Sequence, residues 1–384
     1  MKTALLVGLG ADIGATLIGM NDPGRDGFAI SAVLTNPPSA RTLGPGLAPI
    51  HALYARLILA QPHLAAGFSV ESADNSLGVR RRSIQVFWGD ARNFDLNEIG
   101  QRFDVCILAT SKAHIGDDAV IGRFRAVADT VIGLSEAAQI PALYANLLDT
   151  PSRFLPNPPR PPGNARVFCL GSCQSNGWHA PLRAILELAE GAEFTTFEIR
   201  GMEVDIVHPD TPTGSLGTKS IEPRSQDPRN NLRPSFSQIE MSMNLLFPDS
   251  NNLNSISLRV LVLPPGYQIC RFFFRYRHQD GSRLSHERIL ASFRRTAQRL
   301  PDTLNVTELP LGSRAFEFAE ASATILGSPQ YLRFFDNPFR MDDSDMISEL
   351  VVQGYVNNVR GYCRSVLNVT KRLIHGPMPF VFYR

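Results

Sequence analysis

Cysteine is scarce and odd in number: five thiols, Cys106, Cys169, Cys173, Cys270 and Cys363, in 384 residues. A sparse, odd set lying mostly inside apolar segments excludes a disulfide-stapled scaffold and fits reduced thiols in the cytoplasm. Long hydrophobic runs are also lacking. Nothing approaches the roughly 20 apolar residues that span a bilayer, so no membrane partner is expected. The N-terminal stretch MKTALLVGLGADIG carries an apolar run of only about 5 residues against the roughly 7–15 of a secretory core. It flows into a glycine-rich turn and reads as a first strand. Charge of one sign is lacking too: Lys plus Arg, 38, nearly cancels Asp plus Glu, 36, leaving +2. No overall field draws nucleic acid to such a chain, and the run Arg80-Arg-Arg82 reads as solvated surface. No internal repeat and no low-complexity tract is present.

What is present is a globular balance, 43% hydrophobic and 19% charged, in a chain too long for a single comfortable core. Two domains are expected. The first 150 residues alternate strand-like and helix-like segments. Thr3–Val7, Phe28–Leu34, Ser83–Trp88, Asp104–Ala109, Asp129–Leu134 and Ala142–Leu148 read as strands, and Ile13–Met20 and Ala48–Ala60 as helices. That alternation predicts an α/β fold with a mostly parallel sheet and helices on its faces. Pro151–Gly163, crowded with prolines, can be neither helix nor central strand and is expected to cross between domains or form a surface loop. A helix then follows Cys173, with strands at Phe194–Arg200, Ser255–Leu263 and Gln268–Arg277, a helix at Glu287–Leu300, further strands to Val356, and a helical tail from Arg360. Residues 209–234 read as a long loop, and loops of that length are usually functional.

Gly8-Leu-Gly10-Ala-Asp12-Ile13-Gly14 follows a predicted strand and opens a predicted helix. In that context a glycine-rich turn brings backbone N–H groups up to a pyrophosphate. The spacing is one residue longer than the common GxGxxG, so a purely structural turn stands beside the nucleotide reading. No carboxylate closes the second strand to meet an adenosine ribose. Asn36, with Thr35, Ser39 and Arg41, would accommodate a 2′-phosphate, which points to NAD or NADP; the alternative is that Asn36-Pro-Pro is only a turn.

The stretch Gly171-Ser172-Cys173-Gln174 lies where an apolar strand stops and a helical pattern begins. A thiol at a helix N-terminus faces unsatisfied N–H groups and the positive end of the dipole, which favour the thiolate, a good nucleophile. The alternative is a small buried hydrophobe, and the polar flanks argue against it. Cys169, four residues earlier, has no further ligands at zinc spacing, so no metal is expected. Asp342-Asp-Ser-Asp345 lacks the calcium-loop spacing and reads as an acidic turn. Met241, Met243 and Leu245–Phe247 read as core.

Ser172-Cys-Gln-Ser-Asn176 with Ala180-Pro181 resembles the S-C-x-x-N…A-P signature of the glyceraldehyde-3-phosphate dehydrogenase family. Other likenesses follow in that family's order. Asp104–Ser111 is similar to its strand ending in S-T, Ala145-Asn146 to its G-V-N, and His208-Pro-Asp-Thr211 to its H-S-Y-T. Asn231-Leu-Arg-Pro234 resembles N-I-I-P, Leu258-Arg-Val260 resembles F-R-V-P, and Asn357–Tyr362 resembles D-N-E-x-G-Y.

The resemblance implies an N-terminal Rossmann-type domain, residues 1–170 plus 360–384, and a C-terminal α+β catalytic and oligomerisation domain, residues 171–359, in a cytoplasmic homotetramer. It implies that Cys173 attacks an aldehyde, that His208 is its general base, and that Asn358 orients a nicotinamide. Gly8, Gly10, Asp12, Ile13, Asn36, Thr110 and Ser111 would line the NAD or NADP site. Thr211 and Arg259 would hold the phosphate of a phosphorylated aldehyde, and Ser172, Gln174, Ser237 and Gln238 an inorganic phosphate.

The departures are specific. Asp12 puts a negative charge near the expected pyrophosphate, Gln174 replaces a hydroxyl residue, Ser237-Gln238 replaces T-G, and D-S-T-H-G has no counterpart. Val359 replaces an acid, and Arg360 follows it. Cys173 and His208 are 35 residues apart, several more than the family's usual spacing. His179 is too near Cys173 on one helix to replace His208. Two other readings stay open: a thioester-forming dehydrogenase that passes its acyl group to water or another acceptor, and a catalytically silent relative that binds a nucleotide or metabolite.

Overall fold

The computed structural model describes residues 1–9, 12–38, 43, 45–150, 154–191, 194–209, 233–235, 237–260, 262–336 and 347–383. Among them the chain forms two mixed eight-stranded sheets flanked by helices, an α/β protein. The first sheet contains β1 (Lys2–Val7), β2 (Phe28–Thr35), β3 (Phe68–Glu71), β4 (Ser76–Val79), β5 (Arg82–Trp88), β6 (Phe103–Leu108), β7 (Ala128–Gly133) and β8 (Val167–Cys169). Their order in space is β3-β4-β5-β2-β1-β6-β7-β8. From β5 to β8 every pairing is parallel. The β3–β4 hairpin extends the edge in antiparallel fashion.

Parallel strands buried on both faces read as nearly continuous apolar runs, as β1, β2 and β6 do. Alternation sends their side chains to two separate layers. Leu6, Val33 and Ile107 meet α1 (Asp12–Met20) and α3 (Pro49–Ala60). Leu5, Val7 and Cys106 meet α4 (Lys112–Ile115) and α5 (Asp118–Val127). A short helix, α2 (Pro23–Asp26), turns the chain between α1 and β2. Connections from β1 run to one side through β2 and to the other through β6. The crevice beyond the carboxyl ends of β1 and β6 is therefore the topological switch point, where open sheets of this kind receive ligands.

The expected strand at Ala142–Leu148 does not form. Ala142 makes only isolated bridges to Cys169 and Phe382, and Ala145–Leu147 is a single 3₁₀ turn. The reason is competition. Asn146 Nδ2 donates to the Asn176 carbonyl at 2.6 Å, and the apolar residues around it are buried between the layers instead of in a ladder. The proline-rich crossing is ordered over its described part: Asn157 Nδ2 donates to the carbonyls of Leu245 and Tyr383, and Arg160 bridges to Val381.

The second sheet contains β9 (Phe194–Pro209), β10 (Arg233–Ser235), β11 (Leu253–Val260), β12 (Gly266–His278), β13 (Leu304–Thr307), β14 (Ala323–Leu326), β15 (Leu332–Phe335) and β16 (Ser348–Val356). The order is β10-β11-β9-β12-β16-β14-β13, with β15 also on β16. Helices α6 (Cys173–Glu190), α7 (Ile239–Leu246) and α8 (His286–Arg299) cover one face, on which Cys270, Phe272 and Phe274 of β12 are buried. β9 runs well past the expected Arg200 because β11 and β12 pair with it on both sides as far as Pro209 and Val207. Residues 210–232, most of the expected long loop, and the acidic turn Asp342–Asp345 lie outside the described residues.

Helix α9 (Arg360–His375) returns to the first sheet and packs on α1. The Tyr362 hydroxyl lies 2.7 Å from the Gly171 carbonyl and 3.0 Å from that of Leu134. Arg364, deeply buried, bonds Asp26 at 2.8 Å and Glu320 at 2.9 Å. Burial alone would raise the Glu320 carboxyl, but Arg364, Arg25 and Arg360 together hold it below its ordinary value.

A depressed carboxyl contributes stability that is present above the unfolded-state value and is lost as pH falls through the folded one. Glu320→Gln is therefore expected to flatten the loss of stability on acidification below about pH 4.3, read as urea midpoints across pH. A Cβ at Gly14 would lie 2.1 Å from the Gly8 carbonyl oxygen. Gly14→Ala is expected to destabilise the protein by about 1–3 kcal/mol in denaturant unfolding.

Candidate active site

The site is built where the first sheet hands the chain to α6. Gly171, just past β8, takes φ +76°, and a Cβ there would press to 2.9 Å from the Tyr144 ring and 3.1 Å from the Glu136 carboxylate. Only glycine makes this turn cheaply. Ser172 then caps α6, its Oγ accepting the Ser175 N–H at 3.0 Å. Cys173 is the first helical residue. It is half-buried, while Cys106, Cys169, Cys270 and Cys363 are buried.

Two side chains converge on its sulfur. His208, near the end of β9, brings Nε2 to 3.5 Å from Sγ. Asn358, between β16 and α9, brings Nδ2 to 3.8 Å. Its orientation is fixed, because Oδ1 accepts the Gly266 N–H at 2.9 Å. His208 Nδ1 lies 2.6 Å from the Pro209 carbonyl oxygen. Nδ1 has two neighbours of opposite demand, that carbonyl, which accepts a proton, and the Arg259 guanidinium, which only donates; with the Nδ1 proton given to the carbonyl, Nε2 turns its lone pair to the thiol as a general base requires. Arg259 pairs with His208 across β11 and β9, and its guanidinium contacts the same ring. A thiol, a base, an amide donor and a cation thus share one small region.

His179 is excluded as the base. Burial pushes it down to about 3, and its ring packs between Tyr144 and Trp178. It stays neutral inside α6.

The other expected residues fall into three groups. At the switch point, Gly8 takes φ +95°, and a Cβ there would lie 2.6 Å from the Ala109 carbonyl oxygen. Thr110 forms the facing wall, its Oγ1 buried without a partner among the described residues, and Ser111 is exposed at the start of α4. Asn36 is half-buried just past β2, and Ile13, also half-buried, accepts the Cys363 S–H at its carbonyl. The charge of Asp12 meets Arg56 of α3 in an ion pair, so the pyrophosphate region is less negative than the sequence implied. The second group is not brought to the thiol. Gln174 is fully buried, its Nε2 donating to Ser257 Oγ and its Oε1 accepting the Gln238 N–H. Ser237 is buried, its Oγ 2.6 Å from Ser255 Oγ, while the Gln238 side chain is exposed. Both buried side chains hold α7 and β11 against α6. The third group, Gly10, Ser39, Arg41, Thr211 and Asn231, lies outside the described residues.

Sequence reasoning missed Glu136. Its carboxylate is buried behind the α6 turn, where Oε1 accepts the Ser175 hydroxyl at 2.9 Å and faces the Tyr144 hydroxyl at 3.4 Å. The only available signal was a lone acid just after an apolar strand. Among the described residues no three His, Cys, Asp or Glu side chains gather as a metal site, and no helix is long and apolar enough to cross a membrane.

No protein-family model matches this chain, and no curated protein matches it either.

Burial raises the thiols of Cys106, Cys270 and Cys363 well above the ordinary value. Iodoacetamide on the native protein is therefore expected to label Cys173 first. Peptide mass spectrometry checks this, and early labelling of a buried cysteine would contradict the arrangement.

Proposed function

We propose that the protein is an NAD(P)-dependent aldehyde dehydrogenase of the glyceraldehyde-3-phosphate dehydrogenase type, acting through a covalent adduct on Cys173. The observation that carries this reading is the 3.5 Å approach of His208 Nε2 to Cys173 Sγ, with Asn358 on the same sulfur. Support comes also from the parallel strand order, which has its switch point at Gly8 and Thr110. The finer architecture of that family, with residues 1–170 and 360–384 binding the dinucleotide and 171–359 catalysing, belongs to the same proposal, as does a homotetramer.

The chemistry follows from the groups present. His208 Nε2 takes the thiol proton, the thiolate attacks the aldehyde carbon, and the imidazolium returns that proton to the carbonyl oxygen to give a thiohemiacetal and a neutral His208. Loss of hydride from that carbon, with its hydroxyl proton passing to His208, leaves a thioester on Cys173. Arg259 meets an anionic substituent of the aldehyde, a phosphoryl group in the leading reading. A bound dinucleotide supplies the hydride acceptor. Gly8 and Gly14 let the turn close backbone against backbone at the strand end, and Thr110 Oγ1 offers an unused polar atom beside it, so this crevice fits such a group. Asn358, its oxygen fixed by Gly266, presents Nδ2 to the thiol and would orient a bound nicotinamide there.

One observation favours a variant of this reading. Ser237 is bonded to Ser255 and Gln174 to Ser257, so neither side chain is offered to an inorganic phosphate beside the thiol. On this ground the acyl group passes to water or another acceptor rather than to phosphate.

Cys173→Ser is expected to abolish turnover, and His208→Asn to lower kcat by about 10²–10⁴-fold. Initial rates with phosphorylated and unphosphorylated aldehydes, with NAD and NADP, and with and without inorganic phosphate make the measurement. Full activity in Cys173→Ser would sink the covalent mechanism, whereas no turnover by the parent with any of these aldehydes, together with no binding of NAD or NADP, would leave the silent binding protein. Strict phosphate dependence would restore phosphate as the acceptor.

A further inference from the structure

Of the run Arg80-Arg-Arg82, read as solvated surface, Arg80 and Arg81 are exposed as expected and Arg82 is not. Arg82 turns inward, with Nη1 and Nη2 donating to the Asn21 side chain at 2.9 Å and backbone at 2.6 Å. Arg80 and Arg81 form the two-residue turn joining β4 to β5, and both take positive φ, 48° and 67°. Such a turn favours Asn-Gly, and two arginines there carry backbone strain that local structure alone does not reward.

Arg80 lines a cavity of about 100 Å³ together with Arg25, Arg360, Arg364, Asp22 and Glu320. The cavity lies at the Met20 end of α1, the opposite end from the Gly8 turn, and so apart from Cys173. Four guanidinium groups and two carboxylates line it. One of these, Glu320, is shared three ways: Arg25 at 2.6 Å, Arg364 at 2.9 Å and Arg360 at 3.3 Å. The Arg360 Nε is buried without a partner among the described residues. Nearby His63 sits below its ordinary value, first through burial and then through the charges of Arg360 and Arg80. Arg364 is further met by Asp26 and Arg25 by Asp302, so what is left without a carboxylate among the described residues is Arg80, together with the Arg360 Nε, beside a space that suits a group of a few heavy atoms.

We propose that this cavity is a second ligand site, taking the phosphoryl group of a small phosphorylated molecule between Arg80 and Arg360. A phosphoryl group carries about 1.5–2 negative charges at neutral pH and several strong acceptor oxygens. It can engage several guanidinium forks at once, whereas a singly charged carboxylate competes poorly with the Glu320 already present. The site does not depend on the dehydrogenase reading, because its groups are separate from those around the thiol.

The test uses inorganic phosphate as the probe on the full chain, with thermal unfolding and calorimetric titration as readouts and sodium chloride at matched ionic strength as the screening control. Arg80→Asn removes the charge and accepts the left-handed conformation more readily, so this variant should fold at least as well as the parent. Its affinity for phosphate should fall about tenfold, and Arg360→Gln should do the same. Arg81→Asn relieves the same turn but does not line the cavity, and should leave phosphate binding intact. Arg259→Gln, at the thiol, should leave it intact as well. Phosphate stabilisation no greater than that of chloride overturns the proposal, as does undiminished binding in Arg80→Asn. Loss of binding in Arg259→Gln alone would move the phosphate to the thiol site and overturn it equally.

Discussion

The first turn of α6 leaves backbone N–H groups without partners inside the helix, and the placement of the site rests on how they are met. Ser172 satisfies one of them, an interaction worth about 0.5–2 kcal/mol and within reach of the Ser175–Glu136 contact behind it. Cys173 stands at this positive end of the helix dipole, where negative charge is favoured. Because almost every α6 residue from Gln174 to Leu186 is buried, the helix can neither roll nor slide. The geometry of Cys173 is fixed by a core rather than by a loop.

The same reasoning extends to its partners. His208 is held by a strand paired on both sides, and Asn358 by the Gly266 amide at the mouth of β12. Each functional side chain thus comes from the end of a rigid element, and each is oriented by a backbone group. Backbone partners do not titrate, so these orientations persist across pH in a way that an ion-pair scaffold would not. The ionic interactions are concentrated elsewhere, around Arg364, Asp26 and Glu320, where α9 is clamped against α2. The protein separates a hydrogen-bonded site that holds one cation, Arg259, from a charged mechanical joint.

Much of the first sheet was legible because parallel strands buried on both faces leave unbroken apolar runs, and the Gly8 turn carries its own conformational signature. Cys173 was legible for a related reason: a polar cluster between a strand and a helical pattern marks a helix start. His208 was harder to place. Its 35-residue separation from the thiol says nothing about proximity until β9 is known to run through it. The expected strand at Ala142–Leu148 failed because apolar content alone does not say whether backbone groups will find a ladder. Ser237 and Gln174 were placed by analogy of position, while their actual partners, Ser255 and Ser257, lie on a strand whose register no local pattern encodes. Glu136 and Arg56 escaped because a buried acid and a helix-surface arginine acquire meaning only from what folds onto them.

The arginine run shows why a whole-chain average misleads. A net charge of +2 describes the field far from the molecule. At contact distance what counts is which charges the fold gathers and how many opposite charges it buries with them. The β4–β5 turn carries Arg80 to the end of α1, α9 delivers Arg360 and Arg364 to the same place, and the chain before α9 supplies Glu320 among them. Helix α9 itself is basic, with Arg360, Arg364, Lys371 and Arg372 and no acid, and the carboxylates that meet it come from distant parts of the chain. That meeting exists only because α9 returns across the first sheet.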